Sequence, residues 1–256
     1  MKLIILILFF YSAGCFGRSI LIDPGHGGED LGANKSYKVL EKDKKVKTKS
    51  IKEKDIALEI SKLIYKKLKA LDFDAYLTRS IDRTVSLQER AEMADKLKVD
   101  LFVSIHVNSS TKSYSNGFET YYLDNNKDQA VNKLEKAENH GISEEEMEIN
   151  KILFDLVIKR TVKHSKNLAN TVHSKIANNI KDKFKMTDRG VKPGLFYVLA
   201  LSKRPGILLE VGFISNPREW KKISNQEFQE LYADAVVGGV KQYFEKLHPK
   251  NTPALF

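Results

Sequence analysis

Ile20-Leu-Ile-Asp-Pro-Gly-His-Gly-Gly-Glu-Asp-Leu-Gly-Ala33 begins as a short apolar run of strand type and then breaks into a turn built on Pro24, Gly25, Gly27 and Gly28. Glycines supply backbone freedom and proline fixes φ, so the strand must end here in a tight, exposed loop. His26 stands in the middle of that turn. A side chain on a loop held by a rigid strand is well placed for chemistry. Taken alone, His26 reads equally as a turn histidine that only hydrogen-bonds. The rest of the chain must decide.

The 256 residues suffice for one substantial core, and 42% hydrophobic composition is that of a globular chain. The net charge of +10 favours anionic partners: nucleic acid, anionic lipid, or a polymer carrying carboxylates. No RNP-type aromatic motif, zinc-finger spacing or basic-region heptad is present, so nucleic acid is not the expected partner. Residues 1–17 combine Met1-Lys2, the apolar run Leu3 to Tyr11 and small residues before the single cysteine, Cys15. That run is short for a membrane span and reads as an export signal. Two outcomes stand: Cys15 resembles the lipidated cysteine of a lipoprotein signal cut after residue 14, or an ordinary signal is cut near Gly17. Either way the protein is expected to be exported, to the periplasm or cell envelope.

Asn34 to Lys52 is polar and lysine-rich and predicts a solvated loop. Ile56, Ile60, Leu63, Ile64 and Leu68 then recur at helical spacing, which predicts a helix from about Glu53 to Ala70. Glu53 falls in its first turn, where the helix dipole favours a carboxylate. Phe73 to Thr78 predicts a strand, Thr84 to Leu97 a helix, and Asp100-Leu-Phe-Val-Ser-Ile-His-Val107 a buried strand with His106 at its carboxyl end. Ligands bind at that end of open α/β sheets. Phe118 to Leu123 predicts an edge or hairpin strand, and a long apolar period from Ile149 to Ile180 predicts one helix or two. Gly194 to Ala200 predicts a strand, and Phe228 to Leu247 a closing helix. Within Ile207-Leu-Leu-Glu-Val-Gly-Phe213, Glu210 is a carboxylate in an apolar strand, where desolvation raises its pKa toward that of a general base. His164 and His173 are expected on the surface, and His140 and His248 have no supporting context. No repeat or second domain is visible, so a single α/β domain is expected.

Two histidines at strand ends and a carboxylate at a helix start would make a His₂Glu set with an open position, the arrangement of catalytic zinc. Spacing alone is weak support. Five stretches add to it: Ile22 to Ala33, Glu53-Lys-Asp-Ile-Ala-Leu58, Leu77-Thr-Arg79, Ser104-Ile-His-Val-Asn108 and Leu209-Glu-Val-Gly-Phe-Ile-Ser-Asn-Pro217. In that order they resemble the zinc-dependent N-acetylmuramoyl-L-alanine amidases of the bacterial envelope. The resemblance implies a mixed, mostly parallel β-sheet flanked by helices on both faces, within a catalytic domain over 18–248 and before a tail over 249–256. It implies one zinc ion on His26, Glu53 and His106, with Glu210 as the catalytic carboxylate and peptidoglycan as substrate. Glu41 and Glu59 compete with Glu53, because Asn34 to Lys52 is longer than the family's usual loop. Glu29 is a candidate to orient the His26 ring. The segment over about 124–163 matches a helical regulatory insertion of cell-division relatives, which an activator protein displaces. Glu135, Glu138 or Glu144 to Glu146 would then supply an occluding carboxylate. The rivals are a metal-dependent peptidase or deacylase on another envelope amide, and a non-catalytic wall-binding lipoprotein of the same fold.

Overall fold

The computed structural model describes residues 18–40, 45–125, 131–140 and 142–247. The expectations for the export signal with Cys15, for Glu41, for His248 and for the 249–256 tail lie outside the described residues. In chain order the elements are β1 (Ser19–Pro24), β2 (Asn34–Leu40), β3 (Val46–Lys52), α1 (Glu53–Lys69), β4 (Asp74–Leu77), α2 (Leu87–Leu97), β5 (Leu101–Asn108) and β6 (Phe118–Leu123). They continue with α3 (Asn132–Glu138), α4 (Glu144–Ile149), α5 (Lys151–Phe184), β7 (Asp188–Gly194), α6 (Tyr197–Ser202), β8 (Gly206–Phe213), α7 (Glu219–Ile223) and α8 (Gln226–Leu247).

Six strands form one sheet in the order β4-β1-β5-β8-β6-β7. The first four are mutually parallel, and β6 turns antiparallel to β8 while β7 runs parallel to β6. This is the expected mixed, mostly parallel sheet in a single α/β domain. Alternation along the strands divides the apolar side chains between two faces. Ile20, Ile22, Val103, Ile105 and Leu209 meet α1, α8 and the later turns of α5 on one face. Leu21, Phe102 and Leu208 meet α6 and the first turns of α5 on the other. Because β1, β5 and β8 are parallel, their carboxyl ends line up at one edge, where Pro24, His106 and Glu210 sit. No helix among the described residues is long and apolar enough to cross a membrane.

Four local expectations need correction. Asn34 to Lys52 is no loop but the antiparallel hairpin β2–β3. The cause is a sparse alternation hidden among lysines: Tyr37 and Val39 pack on the core, Ile51 is buried in it, and Tyr37 stacks on Trp220 with ring centroids 5.1 Å apart. Gly194 to Ala200 ends β7 and enters α6, whose short apolar run is buried on every side and so carries no helical period. β6 lies inside the sheet, between β8 and β7, rather than at an edge. His173 is buried, because it shares the inward face of α5 with Ala169, Val172 and Ile176. Its Nδ1 lies 2.9 Å from Thr120 Oγ1 and its Nε2 lies 2.8 Å from Asp188 Oδ1, tying α5 to β6 and β7. His164 is exposed, as expected, and the long apolar period is one 34-residue helix.

Candidate active site

The turn after β1 is held from behind by two buried guanidiniums. Arg79 donates to the carbonyls of Pro24, Gly25 and Lys54, and Arg90 donates to those of Pro24 and His26. Asp23 compensates Arg90 directly and also accepts hydrogen bonds from Thr78 and Ser104. Burial alone would raise the Asp23 pKa, but Arg90 and these donors outweigh it and hold the carboxylate below its ordinary range. Its contribution to stability is therefore present above the unfolded-state pKa and lost as pH falls. Asp23→Ala leaves the buried Arg90 charge without its carboxylate and is expected to cost about 3 kcal/mol or more. Urea unfolding at neutral pH measures the loss; a change under about 1 kcal/mol would show that Arg90 is satisfied by carbonyls alone.

Anchored this way, His26 sits at φ 58°, in the left-handed region that a non-glycine residue adopts at a cost. The twist, continued through Gly27 and Gly28, folds the chain so that Asp30 comes beneath the imidazole: His26 Nδ1 is 2.8 Å from Asp30 Oδ2. Asp30, not Glu29, is thus the residue that orients His26. The Glu29 backbone N–H instead donates to Thr84 Oγ1. With Nδ1 committed to Asp30, Nε2 faces the cleft.

Glu53 opens α1 directly after the hairpin. Its two oxygens are fixed by backbone N–H donors, Oε2 from Ala33 at 2.7 Å and Oε1 from Val107 at 2.7 Å. Oε1 lies 3.2 Å from both His26 Nε2 and His106 Nδ1. The competitor Glu59 is exposed and accepts a hydrogen bond from Gln229, well away from this centre. Two glycines leave room for the rings: a Cβ on Gly25 would sit 2.5 Å from His106 Cε1, and one on Gly32 would sit 2.5 Å from His26 Cδ2.

A fourth group joins them from the acidic segment. Glu138, the last residue of α3, places Oε2 2.7 Å from His106 Nδ1 and 3.4 Å from His26 Nε2. One ligand atom from each of His26, Glu53, His106 and Glu138 lies within 4.8 Å of the others. Among the described residues it is the only such cluster. Burial opposes protonation of the imidazoles, yet Glu53 and Glu138 outweigh it, pushing His26 far up and His106 to about 10. His26 Nε2 and Glu138 Oε2 are buried, and their close approaches to neighbouring side chains lack hydrogen-bond geometry. Lone pairs converging at this spacing, with buried atoms left unbonded, fit a tetrahedral divalent cation such as zinc.

The position of Glu138 is fixed by its neighbours. Glu135 Oε1 accepts from the Leu195 N–H, while Asn139 donates to the Leu195 carbonyl and accepts from the Tyr197 N–H. The Tyr197 hydroxyl in turn donates to the Glu146 carbonyl. Of the acidic candidates, Glu135 is therefore a latch, and Glu146 caps α4 through Ser143. Glu138 alone reaches the centre among those whose side chains are described. An acidic run does not reveal which carboxylate points inward; only the packing of α3 against α6 does.

Glu210 stands one strand over from His106 and in register with it. It is fully buried, and neither carboxylate oxygen has a hydrogen-bond partner among the described residues. Desolvation first, then the nearby Glu138 and Glu53 charges, raise its pKa well above the ordinary value. A carboxyl tuned in this way suits proton transfer near neutral pH. The cleft lined by His26, Glu53, His106 and Glu138 has a volume of about 1150 Å³.

The His₂Glu₂ cluster at the carboxyl edge of this α/β sheet could hold a metal ion, beside a glutamate whose raised pKa suits proton transfer. The N-acetylmuramoyl-L-alanine amidase family model matches residues 20–242, and the chain belongs to that family. The amidase AmiA of Escherichia coli (strain K12) is 31% identical, over 91% of this chain and 80% of AmiA. The crystal structure of an N-acetylmuramoyl-L-alanine amidase from Clostridium difficile 630 superposes with a TM-score of 0.64 at 29% identity, over 90% of this chain and 97% of that one. The CwlD amidase of Clostridioides difficile, solved in complex with the GerS lipoprotein, gives a TM-score of 0.65 at 25% identity, over 89% of this chain and 98% of that one. The chain is accordingly an enzyme of the N-acetylmuramoyl-L-alanine amidase type, acting on peptidoglycan.

Proposed function

We propose that this protein is an exported, zinc-dependent amidase that cuts the bond between N-acetylmuramic acid and L-alanine, in wall remodelling or daughter-cell separation, and that Glu138 holds it in a resting state. The reading is carried by the convergence of His26 Nε2, Glu53 Oε1 and His106 Nδ1 beside the unpartnered Glu210. Those three residues would hold the ion, with Asp30 and the Ala33 and Val107 N–H groups keeping the donors oriented. A bound zinc ion would supply Lewis acidity, easing deprotonation of water and drawing charge from the amide oxygen. Glu210 takes the proton of the attacking water and later returns it to the leaving L-alanine amine. No covalent intermediate with the protein is required.

Glu138 supplies the regulatory half. Three protein donors leave a catalytic zinc site open, and four close it as in structural sites. With Glu138 in place the donor set is complete; with α3 withdrawn it is open. We assign the segment over about 124–163 to regulation on this ground, and an activator protein to its displacement. The CwlD amidase in complex with the GerS lipoprotein offers a precedent for an amidase that binds a partner protein. Residues 1–17, with Cys15 lipidated or the signal cleaved, would bring the enzyme to the periplasm or cell envelope.

His106→Ala tests the metal set without relying on turnover. Zinc affinity, measured by competition with a coloured chelator, is expected to fall about a hundredfold or more. A variant that is folded and binds zinc like the unsubstituted protein would remove His106 from the ligands.

A further inference from the structure

Beyond Glu210 the same face of the sheet carries a second polar group. The register runs from His106 on β5 to Glu210 on β8 and on to Glu119 on β6. On β7, Arg189 and Lys192 follow. Glu119 is buried and accepts hydrogen bonds from the Tyr121 hydroxyl and from Asn108. Its Oε1 also receives Arg189 Nε, and Lys192 Nζ approaches it to 3.2 Å. Arg189 and Lys192 both line the cleft that contains His26 and His106, and their side chains are 38% and 24% exposed.

Among the described residues, the ion pairs of Arg189 and Lys192 both end on Glu119. Two cations thus share one paired carboxylate at the cleft wall, while Glu219, the other acid in range of Arg189, spends its oxygens on the Gly117 and Phe213 N–H groups. Glu119 is pinned from inside the protein, so it fixes the cations rather than competing for solvent. The Arg189 guanidinium also rests over the Phe213 ring, 5.3 Å from its centroid. Nothing in the proposed hydrolysis uses this group.

We infer that Arg189 and Lys192 form a carboxylate-binding subsite for the stem peptide, engaging the free α-carboxylate of the residue that follows L-alanine. The inference rests on the proposed amidase reading, with the stem peptide lying across β8 toward β6 and β7. Adjacent strands are about 4.8 Å apart, so the β7 cations stand roughly 10 Å beyond the Glu210 backbone. The second stem residue follows alanine by about 3.8 Å between Cα atoms, and the two long basic side chains span the remainder. A planar guanidinium beside an ammonium matches a carboxylate and discriminates against a neutral amide.

The test compares kcat/KM on glycan-linked stem peptides that differ only at the second residue, one with an α-carboxylate and one with a carboxamide. A third substrate carries its only carboxylate at the peptide C terminus. Zinc-loaded protein is expected to prefer the first substrate about tenfold. In Arg189→Gln the ratio should fall to near one, whatever the absolute rates. The ratio is taken within one protein, so losses of folding or metal cancel. A ratio near one in the unsubstituted protein, or an unchanged preference in Arg189→Gln, overturns the subsite. A preference for the C-terminal carboxylate that Arg189→Gln removes overturns the assignment to the second residue. If the unsubstituted, zinc-loaded protein cleaves none of the three, the amidase reading of the site fails instead, and the subsite with it.

Discussion

Glu210→Gln is expected to abolish turnover and, in metal-free protein, to raise the melting temperature at alkaline pH. The rate should fall about a thousandfold, the usual size of a lost general acid–base. Stability moves the other way because Glu210 is a buried carboxyl with both oxygens unpartnered. Its folded-state pKa is raised by desolvation and by Glu138 and Glu53, so the folded chain keeps a proton that the unfolded chain releases above about 4.5. Stability is then fully present below the unfolded-state value and declines as pH climbs toward the folded one. Glutamine does not titrate, so its advantage should widen with pH across that window. Two readings check the claim: product release from sacculi, and melting curves from pH 5 to 9. Retention of a third of the activity would remove Glu210 as the base. A melting difference flat in pH would show that its carboxylate is paired in solution.

Glu138→Ala is expected to act in the opposite sense on activity. Oε2 of Glu138 lies 2.7 Å from His106 Nδ1, where it would complete the donor set and take the position that an attacking water would need. Removing it should raise basal amide hydrolysis about ten- to a hundredfold, the effect of shifting an occluded population by 1.4–2.8 kcal/mol. The point substitution is cleaner than excising 128–160, because that cut would also take Phe154, Val157 and Ile158 out of the second core cluster. Glu135 and Asn139 would still tie the end of α3 to Leu195 and to Tyr197 at the start of α6, so the helix should stay in place and only the ligand be lost. A soluble, zinc-loaded Glu138→Ala protein no faster than its parent would end the autoinhibition proposal.

What could be read in the residues follows from where each signal is stored. His26, His106 and Glu210 are legible because each sits in a local pattern, a glycine turn or a buried strand, that also fixes its place at the sheet edge. Glu53 needed the helix start and the family-like Glu-Lys-Asp-Ile stretch, since Glu41 and Glu59 carried the same chemistry. Glu138 was only one of five acidic candidates. Its selection depends on the Glu135–Leu195 and Asn139–Tyr197 bonds, which join positions far apart in the chain. Asp30 displaced Glu29 because the direction of a side chain in a tight turn follows from φ values, which adjacency does not encode. The β2–β3 hairpin is not legible in the sequence because its inward alternation of Tyr37, Val39 and Ile51 is diluted by lysine. The buried His173 was hidden by the polar residues on the outer face of α5.

The most direct measurement is product identification on purified sacculi while the metal-free protein is titrated with zinc. Intact stem peptides bearing a free L-alanine amine should appear in proportion to bound zinc and level off at one ion per chain. Full release of those peptides by protein stripped of metal, or release of glycan fragments or internally cut peptides instead, would contradict a zinc-dependent N-acetylmuramoyl-L-alanine amidase centred on His26, Glu53 and His106.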